Sequence, residues 1–184
     1  MVLIRGPGLA SEGAEVPELA RQYAEDSSLI VLEGDSATVD RALHAMDGAS
    51  LVHVAAHGTF RADSPLFSSL HLDDGPLTLY DLAQLRIGPR RLVLSSCDSG
   101  RVAPAGADEI LGLASSVLPL GTRSVVCSIV PVNDHAVVPF MLDLHERLRR
   151  SDDLAGALRD SRTNVADDPL AIGTACSFLA LGTC

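Results

Sequence analysis

Short apolar runs alternate along the chain with longer stretches in which apolar residues recur roughly every three to four positions. That alternation predicts strands separated by helices, βαβ units and a largely parallel sheet. Val2–Ile4 reads as the first strand and Glu15–Glu25 as the first helix, joined by a loop rich in Gly and Pro. Leu29–Leu32 reads as the second strand, and a helix entered at Ser36 or Thr38 runs to Met46. Leu51–Ala56 is the next strand. The segment Ser68–Leu72 with Asp73-Asp74-Gly75 resembles a hairpin turn, and Thr78–Leu85 a short capped helix. Leu92–Ser95 and Arg123–Val130 read as buried strands. Between them lie a Gly/Ala/Pro-rich loop over Asp98–Asp108, expected to act as a gate, and a helix over Glu109–Leu118. Asp134–Arg150 and Asp153–Val165 read as helices split by a Ser-Asp-Asp cap, and Ser177–Leu181 as a closing strand. The sum is one domain over residues 1–184: a three-layer α/β/α sandwich with a mostly parallel sheet of about six strands.

Composition narrows the function. With 47% hydrophobic and 21% charged residues the chain is ordinary globular material. A net charge of −10, with Arg supplying all 14 basic residues, argues against nucleic acid as a partner. Arg90 with Arg91, and Arg147, Arg149 and Arg150, read as solvated faces. Cys97, Cys127, Cys176 and Cys184 are too few and too scattered for a disulfide scaffold, and free thiols fit a reducing cytoplasm. No signal-like leader and no apolar run of about 18 residues is present, so neither export nor a membrane partner is expected. His71 with Asp73, and Asp134 with His135, lack metal-ligand spacing, and the segment 5-RGPGLASEG-13 fits neither phosphate-binding glycine pattern. No metal and no cofactor are therefore expected.

Catalytic chemistry has one good location. Open parallel sheets gather functional groups beyond the carboxyl ends of their strands. There 51-LVHVAAHG-58 delivers His57, and 92-LVLSSC-97 delivers Cys97. If those strands are neighbours, an imidazole stands beside a thiol and can take its proton, because the thiolate is the nucleophile. The amides of Gly58 and Cys97 would supply an oxyanion hole. The competing reading makes Cys97 a small buried hydrophobe at a strand end. His53, four residues before His57 and on the same face by strand alternation, reads as a packed, satisfied histidine.

The runs 53-HVAAHG-58, 92-LVLSSCDSG-100, 109-EILGLASSVLPLGTRSVVCSIVPVND-134 and 178-FLALG-182 together resemble the CHAT domain, a caspase-like cysteine peptidase family of clan CD related to separase. The resemblance implies a caspase-like fold, a His57/Cys97 dyad, and oxyanion donors at Gly58 and Cys97. It departs from the family at Val130 and Ala175, where tryptophan is common. In peptidases of the separase type an acidic residue after the following strand favours arginine at P1. The resemblance assigns that place to Asp134, whose alternative role is to cap the helix that starts there. The implied activity is endopeptidase cleavage of a protein or peptide substrate through an acyl-enzyme, regulated by a TPR-type or other sensor domain. The alternatives are a non-catalytic interaction or regulatory domain, and amide hydrolysis of a small molecule. On this reading the chain is either a stand-alone member or a domain excised from a longer protein.

Overall fold

A computed structural model describes residues 1–9, 14–59, 61, 64–97, 117–130 and 132–183. The expected loop Asp98–Asp108 and nearly all of the expected helix Glu109–Leu118 lie outside the described residues.

The central sheet has the order β2-β1-β3-β6-β7-β8. These strands are β1 (Val2–Arg5), β2 (Ile30–Leu32), β3 (Val52–Thr59), β6 (Arg91–Cys97), β7 (Ser124–Ser128) and β8 (Phe178–Gly182). All neighbours run parallel except β8, which returns antiparallel to β7. A hairpin of β4 (Ser69–Leu72) and β5 (Gly75–Thr78) joins the far end of β3 antiparallel, so the described residues form eight strands where about six were expected. The result is a mixed α/β sandwich with a mostly parallel central sheet flanked by helices.

Both faces of the sheet are buried. One face, formed by Val2, Ile4, Val52, Val54, Leu92, Leu94, Val125 and Cys127, packs against α2 (Val39–Met46), the hairpin and α3 (Leu79–Leu82). The other, formed by Leu3, Ala55, Val93 and Val126, packs against α1 (Glu15–Gln22), α4 (Asp134–Leu148), α5 (Leu154–Arg162) and α6 (Pro169–Cys176). The helix starts follow local chemistry: the Thr38 side chain accepts from the Arg41 amide, Thr78 and Asp81 form a reciprocal capping box, and Asp153 accepts from the Gly156 amide. Phe178 at the start of β8 is fully buried and stacks on Phe140 of α4 at 5.6 Å.

Two strands run past their expected ends toward the site, and one helix had not been expected. β3 continues past Ala56 to Thr59, because its far end finds a second partner in β4. β6 runs on to Cys97, because Ser96 and Cys97 pair with Ala56 and His57. Helix α6 had no expected counterpart. Its apolar residues lack a stripe, and Leu170 and Ile172 are about half exposed.

Candidate active site

The two chemically capable strands are neighbours. β3 and β6 pair in parallel from Val52↔Leu92 to His57↔Cys97, so the last row of the ladder holds the histidine and the cysteine side by side at the carboxyl edge. At the next residue, Gly58, β3 leaves its parallel partner and opposes Leu70 of the antiparallel β4. Gly58 is buried.

His57 is held by backbone from the loop after β1. Its Nε2 lies 3.0 Å from the Gly8 carbonyl oxygen. A carbonyl can only accept, so this contact puts the proton on Nε2 and leaves Nδ1 as the basic nitrogen. Nδ1 is itself buried and has no hydrogen-bond partner among the described residues. Gly8 has φ +76°, a left-handed conformation that a side chain at this position would strain, and that turn aims its carbonyl at the ring. Nearby, Gly6 donates to the Ala55 carbonyl at 2.8 Å, which extends β1's pairing toward the site. A Cβ at Gly6 would collide with the His71 carbonyl of the hairpin, so the loop, the hairpin and β3 are packed without slack.

The expected site residues divide. His57, Cys97 and Gly58 come together at one edge. Asp134 opens α4 just past the carboxyl end of β7 and is half-buried. It is not the helix cap: Asn133 holds that role, its side chain accepting from the His135 and Ala136 amides, each at 3.0 Å. His53 is completely buried, as expected of a packed histidine, and belongs to a polar chain that includes Glu15, Ser95, His145 and Tyr23. Sequence reasoning passed over that chain. Burial pushes the Cys127 thiol up to about 12, which makes it an inert core thiol. Cys176 is exposed. His71 Nε2 meets the Thr59 hydroxyl at 2.8 Å. Among the described residues no three His, Cys, Asp or Glu side chains come together in a group that could hold a metal, and no helix is long and apolar enough to cross a membrane.

A mostly parallel sheet flanked by helices on both faces is the architecture of a caspase-like α/β sandwich. The model of the CHAT domain matches residues 3–171, and the chain belongs to that family. No curated protein matches the chain at a significant level.

Proposed function

We propose that the domain is a cysteine endopeptidase in which Cys97 is the nucleophile and His57 the general acid and base. The observation that carries this reading is the ladder row His57↔Cys97 together with the Gly8 carbonyl on Nε2. With Nε2 protonated, Nδ1 accepts the thiol proton as the thiolate attacks the substrate carbonyl. The amides of Gly58 and Cys97 stabilise the oxyanion. The imidazolium then gives its proton to the leaving amine, and a water deprotonated by the same nitrogen hydrolyses the thioester, releasing the acid and restoring the thiol. No metal or cofactor takes part in these steps. A protein or peptide is the substrate, under the control of a TPR-type or other sensor domain.

With Asn133 as the cap, Asp134 keeps the substrate role in this reading: its carboxylate forms a bidentate pair with a P1 guanidinium. The test is a peptide electrophile carrying P1 Arg, applied in a Cys176→Ser background. It should label Cys97, fail on Cys97→Ala, and slow by about a hundredfold or more on His57→Ala. Asp134→Asn should lose the preference for Arg over Asp at P1. Equal labelling of every accessible thiol, indifferent to His57, would overturn the peptidase reading.

A further inference from the structure

The face of the sheet that carries His57 also buries a chain of polar side chains that the proposed reaction leaves unused. Glu15, the first residue of α1, is only 3% exposed. Its Oε2 accepts from the Ser95 hydroxyl at 3.0 Å, and its Oε1 lies 3.1 Å from His53 Nε2. That second contact is close enough for an ion pair yet too bent for a good hydrogen bond, and neither atom has a better-aligned partner among the described residues. His53 Nδ1 and His145 Nε2 are 3.1 Å apart, and both rings are completely buried. His145 Nδ1 meets the Tyr23 hydroxyl at 3.1 Å, and that hydroxyl also lies 3.4 Å from the His145 carbonyl.

With Glu15 ionised and both histidines neutral, the protons in this chain have one placement. A carboxylate only accepts, so the Ser95 hydroxyl donates to Glu15 and the proton of His53 sits on Nε2, beside Oε1 at a bent angle. His53 Nδ1 must then accept, so His145 carries its proton on Nε2 and its Nδ1 accepts from Tyr23. Every donor points toward the same carboxylate. Burial above all holds His145 well below the usual histidine range, with Arg91 adding to it, which keeps it neutral as this placement requires. Burial also pushes Tyr23 up to about 12 against the pull of Arg91 and Arg149, so its proton stays on. The flanking charges are Arg91, paired with Asp152 at 2.9 Å, and Arg149, 5.9 Å from the Tyr23 ring centre.

Glu15 touches two supports of the dyad and follows a third along the chain. Ser95 precedes Cys97 by two residues on β6, and His53 precedes His57 by four on β3. Glu15 itself begins the helix that follows the loop of Gly8, whose carbonyl sets the tautomer of His57. We propose that Glu15 is a positioning residue for the dyad, held in one orientation by the His53–His145–Tyr23 chain. The proposal rests on the peptidase reading for its purpose, but its geometry can be tested without turnover.

The test uses the full chain carrying Glu15→Gln. Glutamine keeps the shape but must turn its NH2 toward either Ser95 or His53, both donors. Ring-nitrogen NMR should find His57 as the single Nε2–H tautomer in the wild type and as a mixture in the variant. Alkylation of Cys97 by iodoacetamide near neutral pH, in the Cys176→Ser background, should fall about tenfold or more. Ser95→Ala, which removes one donor without opposing two, should shift both readouts the same way by a smaller factor. Tyr23→Phe should release the tautomers of His145 and His53. A folded Glu15→Gln protein with wild-type His57 tautomer and Cys97 reactivity would overturn the proposal. Should that variant not fold, an unchanged Ser95→Ala overturns it instead. If wild-type Cys97 alkylates no faster than Cys176 and ignores His57→Ala, the peptidase reading fails, while the tautomer result still decides the role of Glu15.

Discussion

The two faces of the sheet are built from opposite materials. Beneath α2, α3 and the hairpin the contacts are hydrocarbon, contributed by Ile4, Val52, Val54, Met46, Leu77 and Leu92. Beneath α1 and α4 an equally buried layer admits a glutamate, a serine and two histidines. Burying such groups costs several kcal/mol unless they are paired. The apolar face holds the layers together by buried area and close packing. The polar face fixes directions, because each hydrogen bond specifies which atom faces which. His57 projects from this second face, where an ordered imidazole is worth more than extra hydrocarbon.

The largest expected effects come from cutting each face at its centre. Glu15→Ala leaves His53 and Ser95 without their acceptor and should destabilise by about 3–5 kcal/mol. Leu92→Ala opens a cavity on the apolar face and should cost about 2–5 kcal/mol. Urea denaturation measures both, and the contrast lies in reactivity. At sub-denaturing urea Leu92→Ala should leave Cys97 alkylation unchanged, and Glu15→Ala should not. If the two variants slow alkylation equally, the faces do not differ in function.

A smaller effect concerns acid. His145 is held below its unfolded value of about 6.5, so the unfolded chain binds the extra proton first as pH falls. Stability is therefore complete above about 6.5 and declines below it, by at most about 1.4 kcal/mol per pH unit for this one group. His145→Gln should flatten that limb in urea midpoints measured from neutral to mildly acid pH. A wild-type midpoint that does not move over the same interval would show that the polar face is not titrating.

The smallest effect sharpens the contrast from the apolar side. Cys127 lies there with its thiol raised to about 12, so native protein near neutral pH should leave it unalkylated while exposed Cys176 reacts. Mass mapping after brief labelling reads this directly. Rapid modification of Cys127 would mean that the apolar face opens easily.

The strands, and the placing of His57 and Cys97 at strand ends, were legible in the sequence because both depend on local order. Apolar runs mark buried strands, and 51-LVHVAAHG-58 and 92-LVLSSC-97 each announce a reactive residue at a strand end. The residues beneath the dyad were not legible, because their signals are ambiguous. Glu15 and Glu18 are the same residue type in the same first turn, where either suits the helix dipole, yet the Glu18 side chain is 42% exposed and that of Glu15 is 4%. Only the fold decides which of them turns inward. His145 similarly reads as an ordinary basic residue in the last turn of α4. Helix α6 had one usable signal, Asp168 before Pro169, whose side chain accepts from the Ala171 amide. Its lack of amphipathic period concealed the rest.

The partners in the buried chain are far apart in sequence. Glu15 and Ser95 are separated by 80 residues, His53 and His145 by 92, and Tyr23 and His145 by 122. Each contact closes a long loop, and the entropy of closure must be met before the contact returns anything. During synthesis β1 and β3 emerge long before α4, which carries His145. A chain that ends short of His145 holds His57 and Cys97 and lacks the buried contacts that His145 makes with His53 and Tyr23. On the proposed peptidase reading, Cys97 should gain its full reactivity only once α4 has docked.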